Sequence, residues 1–379
     1  MARLDEICLL NMGQSPDSSS YNEIGDGLPF FQGNADFGEL HPKVRIWCNA
    51  PTKIAHPGDI LISVRAPIGA LNIADRDCCI GRGLAALTVD ETLCSSGYIW
   101  YAIANRVDEL NAKGTGSTFK AISKNVLGET EIPLPTLDRQ HQVSAILDKL
   151  SDLISLRKQQ LAKLDELVKA RFVEIFGDML LNPIRWPEKR LESMADIVSG
   201  ITKGRKTQST ELIEVPYMAV SNVKAGYIDW TTVKTIMATQ SEIDQYRILP
   251  NDVLMTEGGD PDKLGRGAII QAPLQNCIHQ NHIFRVRLDR GTIFPEFFAE
   301  YLQHQKAKRY FLGCAKQTTG IASINMKQLR ALPVLLPPID CQEIFADFIG
   351  QMGQQKLTIQ QSLDKLEVLK KALMQEYFG

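Results

Sequence analysis

The chain has 379 residues, 44% hydrophobic and 23% charged, with 42 basic against 44 acidic side chains and a net charge of −2. That is enough chain for two or three ordinary folded domains, and it excludes a disordered tail, a collagen-like repeat and a small disulfide scaffold. Near-neutrality also excludes a protein that coats nucleic acid by charge alone.

The first segment, MARLDEICLLNMGQ, places Asp5 and Glu6 where a secretory signal would need an apolar core, and no run of about 18 apolar residues follows anywhere. The expectation is a cytoplasmic chain. Its eight cysteines show no CxxC spacing, so reduced and mostly buried thiols are expected, with no metal site. Glycine-rich polar loops come next. GQSPDSSSYN carries Ser15, FQGNADFG carries Gln32 and Asn34, SVRAPIGALNIADR carries Arg65, IGRGLA carries Arg82, and KGTGSTFKAISK carries Ser117, Thr118 and Lys120. Between them GDILIS (58–63) follows a proline and alternates like a half-buried strand. After the prolines at 133 and 135, a helix of about 40 residues is predicted from Asp138, the expected N-cap, to Gly177.

The second half repeats the first. An offset of 202 residues lays 138–177 over 340–379 without a gap and with 12 identities, nine of them in the last 17 pairs. NDVLMT (251–256) answers GDILIS, VPY (215–217) answers LPF (28–30), and RLESM at Arg190 answers RLDEI at Arg3. The loops recur too. SGITKGRKTQST carries Lys203, Arg205 and Lys206; AVSNVKAG carries Asn222 and Lys224; GGDPDKLGRG carries Arg266; IHQNH carries Gln280 and Asn281; AKQTTGIAS carries Lys316, Thr318 and Thr319. Asn and Gln match the edge of adenine and Arg that of guanine, while hydroxyls and amides on glycine turns suit phosphates. These 19 loop residues are the candidate DNA contacts, although Lys203, Arg205 and Lys206 also read as ordinary solvated cations.

The second long helix opens at Asp340, expected to cap it in a box with Glu343. With Val143 as position a, the heptads place Val143, Leu150 and Leu164 at a and Ile146, Leu153 and Leu167 at d. The same register gives Phe345, Met352, Ile359 and Leu366 at a and Phe348 and Leu369 at d. Two such seams favour pairing of the helices in a coiled coil, or binding to a partner. Forty helical residues span about 60 Å, so the two modules would stand apart and be related by an approximate two-fold axis. The fold class expected is α/β, strictly α+β: two globular domains joined by two long antiparallel coiled-coil helices.

Catalytic motifs fail. GDGLPF, GRGLAA, GTGSTF and GRGAII all miss the last glycine of GxGxxG; there is no P-loop, no HExxH and no GxSxG. Asn182-Pro183-Ile184-Arg185 lacks the second proline and the aromatic of an adenine-methyltransferase motif. No catalytic residue is assigned and the chain is not expected to be an enzyme. A helical adaptor that joins two protein partners without touching DNA is the alternative reading.

On these residues the chain resembles the DNA-specificity (S) subunit of Type I restriction-modification systems. The resemblance is carried above all by GSTFKAISKNVLGETEIPLPTLDRQHQVSAIL and TTGIASINMKQLRALPVLLPPIDCQEIFADFI, each leading into a long helix, and by GQSP…LPFFQGN. The second copy departs at Gly200-Ile201-Thr202-Lys203, which replaces the Ser-Pro. The resemblance implies target-recognition domains at 1–136 and 178–339, a central helix at 137–177 and a second helix at 340–379. It implies double-stranded DNA, two adenine-methyltransferase subunits and restriction (motor-nuclease) subunits as partners. S-adenosylmethionine, ATP and magnesium would be held by those subunits and none by this chain. By segment, residues 1–136 carry net −5 and residues 178–339 net +4, so the second module is expected to supply more phosphate attraction.

Overall fold

The computed structural model describes every residue except 117–119, 206–210, 261–262 and 319–320, and leaves the side chains of 317, 318 and 321 undescribed. The chain divides into two compact units, one made of residues 1–159 with 360–379 and the other of 160–359.

Each unit is built on a four-stranded antiparallel sheet of one topology. In the first unit the order is Cys8–Met12, Leu84–Val89, Ile60–Ser63, Leu71–Ile73; in the second it is Ala195–Ser199, Ile283–Leu288, Val253–Thr256, Gly267–Ile269. The central strands Ile60–Ser63 and Val253–Thr256 are buried on both faces, not half-buried as their alternation predicted. Ile60 and Ile62 point into the core shared with Tyr98 and Val143, whereas Leu61 points into a separate core with Phe31 and Ile80. A strand covered on both sides needs no polar face, and mild alternation of residue size is all that survives.

A second sheet lies across the first in each unit. Leu28–Phe31 pairs in parallel with Cys78–Ile80, and Ile213–Met218 pairs in parallel with Ile278–His279. A short pair closes each module before its long helix: Ala2–Arg3 with Glu131–Ile132, and Glu188–Arg190 with Pro333–Leu335.

The long helices run Leu137–Phe176 and Ile339–Phe378. Their caps lie two residues earlier than expected, at Thr136 and Pro338, because Gln140 N–H donates to Thr136 O and Gln342 N–H to Pro338 O. Asp138 and Asp340 are therefore not caps; they lie in the first turn, where a negative charge still meets the positive end of the helix dipole. The start of each helix is pinned by a fully buried glutamine. Gln140 accepts from Ser95 N–H at 2.9 Å and donates to Pro135 O at 2.8 Å. Gln342 does the same with Phe294 N–H and Pro337 O, both at 2.9 Å.

Within each unit the two helices pack antiparallel. In the first, Lys158 pairs with Glu367 at 3.0 Å, Lys370 Nζ donates to Ser151 Oγ at 2.7 Å, and Arg139 lies over the Tyr377 ring. In the second, Lys356 pairs with Asp165 at 2.5 Å, and Phe172 meets Phe345 edge-on with ring centroids 5.4 Å apart. The a column holds: Val143, Leu150, Phe345 and Met352 are buried, and Leu164, Ile359 and Leu366 are half-buried.

The d column is displaced by one residue. Ile146, Leu153, Leu167 and Leu369 are 39, 43, 46 and 46% exposed, and Phe348 is only half-buried. The following neighbours Leu147 and Val168 are buried and Ile154 is half-buried; in the second helix Leu363, which follows Ser362 of the same column, is buried. Both a-to-d and a-to-e steps repeat every seven residues, and the helix turns the second one inward because it must meet its own module as well as its partner helix.

Candidate nucleic-acid interface

The candidate contacts of the first unit converge. Gln32, Asn34, Arg65 and Arg82 line one cleft of about 330 Å³, floored by Gly33, Ala66 and Gly83. The elements that place them are short and firmly hydrogen-bonded. Gln32 N–H donates to Asp36 Oδ2 at 2.8 Å, which closes the 3₁₀ turn carrying Asn34. Arg82 N–H donates to Ser15 Oγ at 3.3 Å, so Ser15 braces the arginine loop through its hydroxyl. Lys120 is exposed, and its carbonyl accepts from Ala66 N–H beside Arg65. Arg65 itself bridges Ala121, which bridges Thr115, in a small antiparallel ladder. Both Arg65 and Arg82 are exposed, and no carboxylate among the described residues pairs with either. Ser117 and Thr118 lie outside the described residues.

Such a cleft presents two guanidinium forks and two amides at the ends of rigid strands. That is the donor and acceptor set that edges of base pairs and phosphates accept. Among the described residues no group of three or more His, Cys, Asp or Glu is placed to hold a metal ion. Six of the eight cysteines are buried, and burial pushes the thiols of Cys8, Cys78 and Cys277 up to about 12, so they are poor nucleophiles.

In the second unit the predicted residues divide. Two belong to the scaffold. Asn222 is fully buried; it accepts from Ala219 N–H at 2.9 Å and donates to Asp229 O at 2.9 Å. It closes the turn as Asp36 does in the first unit, so it is not available to a ligand. Arg205 is engaged by Glu242 through both arms of its guanidinium, with Nε donating to Oε1 at 2.6 Å, and Nη2 also donates to Met237 O. The carboxylate raises the guanidinium pKa further, and Glu242 in turn caps the helix Gln240–Tyr246. Charge density in SGITKGRKTQST could not reveal that one of its three cations was already spoken for.

The others remain at the surface. Lys203 and Lys316 are exposed; Lys224, Arg266, Gln280 and Asn281 are half-buried. Gln280 Oε1 accepts from Val220 N–H at 3.4 Å, and Arg266 Nε has no acceptor among the described residues. Lys316–Thr318 is a strand paired with Ile321–Ser323, which pairs with Gly258–Gly259: the fuller version of the Thr115–Ala121–Arg65 ladder. Lys206 and Thr319 lie outside the described residues, as does the side chain of Thr318.

Sequence reasoning missed one pair on this rim. His282 Nδ1 lies 2.5 Å from Glu257 Oε2, both partly exposed. The histidine was visible in IHQNH, but its partner sits 25 residues earlier and only the sheet brings them together. The nearby His279 is fully buried with Nδ1 on Ile283 O at 3.1 Å, and burial together with Arg285 lowers its pKa to about 4.

Two copies of one module make up the chain, each with a sheet-mounted polar loop face and each leading into a long helix. The chain belongs to the Type I restriction modification DNA specificity domain family, which matches residues 1–166 and 183–368. It is 40% identical over 158 residues to a putative type I restriction enzyme MjaX specificity subunit of Methanocaldococcus jannaschii, covering 42% of this chain and 37% of that protein. It is 22% identical over 291 residues to the type I restriction enzyme EcoKI specificity subunit of Escherichia coli, covering 72% of this chain and 62% of that one. The chain thus spans from about a third to just under two thirds of the length of these relatives. The crystal structure of the type I restriction-modification S subunit from M. genitalium shares the fold, with a TM-score of 0.63 over 100% of this chain and 95% of that chain at 16% identity. Among the described residues no helix is long and apolar enough to cross a membrane.

Proposed function

We propose that this chain is the DNA-reading subunit of a type I restriction-modification complex, each unit reading one half of a bipartite, asymmetric duplex site. The observation that carries this is the cleft where the side chains of Gln32, Asn34, Arg65 and Arg82 converge without partners among the described residues. An adaptor that never touches DNA has no use for two unpaired guanidinium groups mounted beside two amides. The long helices set the gap between half-sites. Their outward apolar residues, Ile146 and Leu153 in the first unit and Ile344 and Leu357 in the second, suit docking of two adenine-methyltransferase subunits. Those subunits would bring S-adenosylmethionine, and restriction subunits would bring ATP and magnesium, to a complex working in the cytoplasm; this chain would catalyse nothing itself.

The test is to express the chain with its methyltransferase partner and sequence the methylated positions on random duplex DNA. A split motif is expected. An active partner that methylates without any motif would sink the proposal.

A further inference from the structure

Hydrogen bonds align the two loop faces residue by residue, independently of any sequence match. Ile80 pairs in parallel with Phe31, as His279 does with Met218. The next residue donates its N–H back across that pair: Gly81 to Phe31 O at 2.8 Å, Gln280 to Met218 O at 3.0 Å. Two residues later the carbonyl of Gly83 accepts from Val64 N–H at 2.9 Å, and that of His282 accepts from Glu257 N–H at 3.0 Å. Arg82 and Asn281 are therefore the same position in the two units, each two residues before the strand that enters the middle of the sheet, Leu84–Val89 and Ile283–Leu288.

That position is held stiffly. In the first unit a Cβ at Gly83 would run into Gln32 O, and one at Gly81 would come within 3.0 Å of Gln32 Cα, so the loop backbone lies flat on the Gln32 turn and only Arg82 projects. In the second unit Ser199 Oγ donates to Asn281 O at 2.6 Å and Asn281 N–H donates to Ile201 O at 3.1 Å. A base reader needs a fixed backbone and a planar side chain with an open edge, since misplacement of its fork forfeits the paired hydrogen bonds. The Arg82 guanidinium has no hydrogen-bond partner among the described residues, and Asn281 Nδ2 lies 3.4 Å from His282 Nε2, which leaves Oδ1 and the second amide hydrogen open. An arginine fork matches guanine O6 and N7; an asparagine amide matches adenine N6 and N7.

We propose that Arg82 and Asn281 are equivalent base-reading positions, Arg82 fixing a guanine in the half-site of the first unit and Asn281 an adenine in that of the second. This rests on the DNA-reading role proposed above. The experiment uses the full complex with its methyltransferase subunits and a random duplex library, comparing the wild type with Arg82→Asn and Asn281→Arg. Arg82→Asn is expected to shift one guanine position of one half-site toward adenine, lowering the guanine preference by roughly ten- to a hundredfold. Asn281→Arg should shift one adenine of the other half-site toward guanine to a similar degree. In each variant the untouched half-site reports that the protein is folded. A bipartite motif that neither substitution alters, or that both weaken uniformly across sequences as lost phosphate contacts would, overturns the inference and leaves the DNA-reading role intact. Absence of any motif in the wild type overturns both.

Discussion

Leu147→Ala and Ile146→Ala, adjacent on one helix, separate the seam from the outward face. Leu147 is fully buried among Val143, Ile99 and Phe378, whereas Ile146 is 39% exposed. Truncating Leu147 removes three carbons worth about 0.8 kcal/mol each on transfer, and the cavity left in a packed core brings the cost to about 3–5 kcal/mol. Truncating Ile146 removes surface that water already shares in part, and alanine regains a few tenths of a kcal/mol of helix propensity, so about 1 kcal/mol or less is expected. For a unit of this size 1 kcal/mol moves the midpoint by about 2–4 °C, so Leu147→Ala should lower the melting transition of the first unit by on the order of 10 °C and Ile146→Ala by a few degrees at most. Circular dichroism melts of the full chain measure both. Equal losses from the two variants would refute the seam register, because they would make Ile146 as much a core residue as Leu147.

Salt dependence of DNA binding separates the cations: Arg65→Ala should reduce the slope of log affinity against log salt by about 0.9 if it meets a phosphate, whereas Arg205→Ala should leave the slope alone and instead cost the second unit about 1–3 kcal/mol, read by titration across salt concentrations and by urea unfolding. His279 stays neutral in the folded protein down to about pH 4 while the unfolded chain binds its proton near 6.5. Stability that is fully present above about pH 6.5 is therefore lost as pH falls toward 4, by about 3 kcal/mol over that window, and unfolding of His279→Gln followed across the same range should lack this component. Gln140→Ala strands Ser95 N–H and Pro135 O in the interior and is expected to cost about 1–3 kcal/mol, a loss that an unchanged melting point would contradict.

The duplication was legible because identity survives where geometry is unforgiving. Gln140 and Gln342 match together with Leu134/Leu336, Pro135/Pro337 and Asp138/Asp340, and each glutamine ties the start of its helix to the module before it. The d column was not legible, because Ile146-Leu147 and Leu153-Ile154 are apolar at both adjacent positions and satisfy either register. The polar residues were the better witnesses: Gln160 and Ser362 interrupt the chosen column while Leu161 and Leu363 sit in the next one. At the loop face, residue type singled out polar loops but not which of their side chains stay free. Asn222 and Asn34 have the same chemistry on matching loops, yet the second copy reaches its turn one residue sooner, and this turns its asparagine inward as the counterpart of Asp36.

Charge follows the same logic. The first module is acidic in total and the second basic, which taken alone assigns phosphate attraction to the second. Folding leaves that surplus unchanged in total but takes particular cations out of play by pairing them: Arg205 with Glu242, Arg285 with Asp196, Arg287 with Asp252 and Lys306 with Glu188. In the first unit Arg3, Arg45 and Arg76 are likewise paired, but among the described residues Arg65 and Arg82 are not, and these two share one cleft. A polyanion feels the unpaired cations within about a Debye length, about 8–10 Å, of the surface it meets, and distant or compensated charges count for little. Attraction at each face is thus set by which guanidinium and ammonium groups the fold leaves unpaired there, a quantity that segment totals of −5 and +4 do not carry.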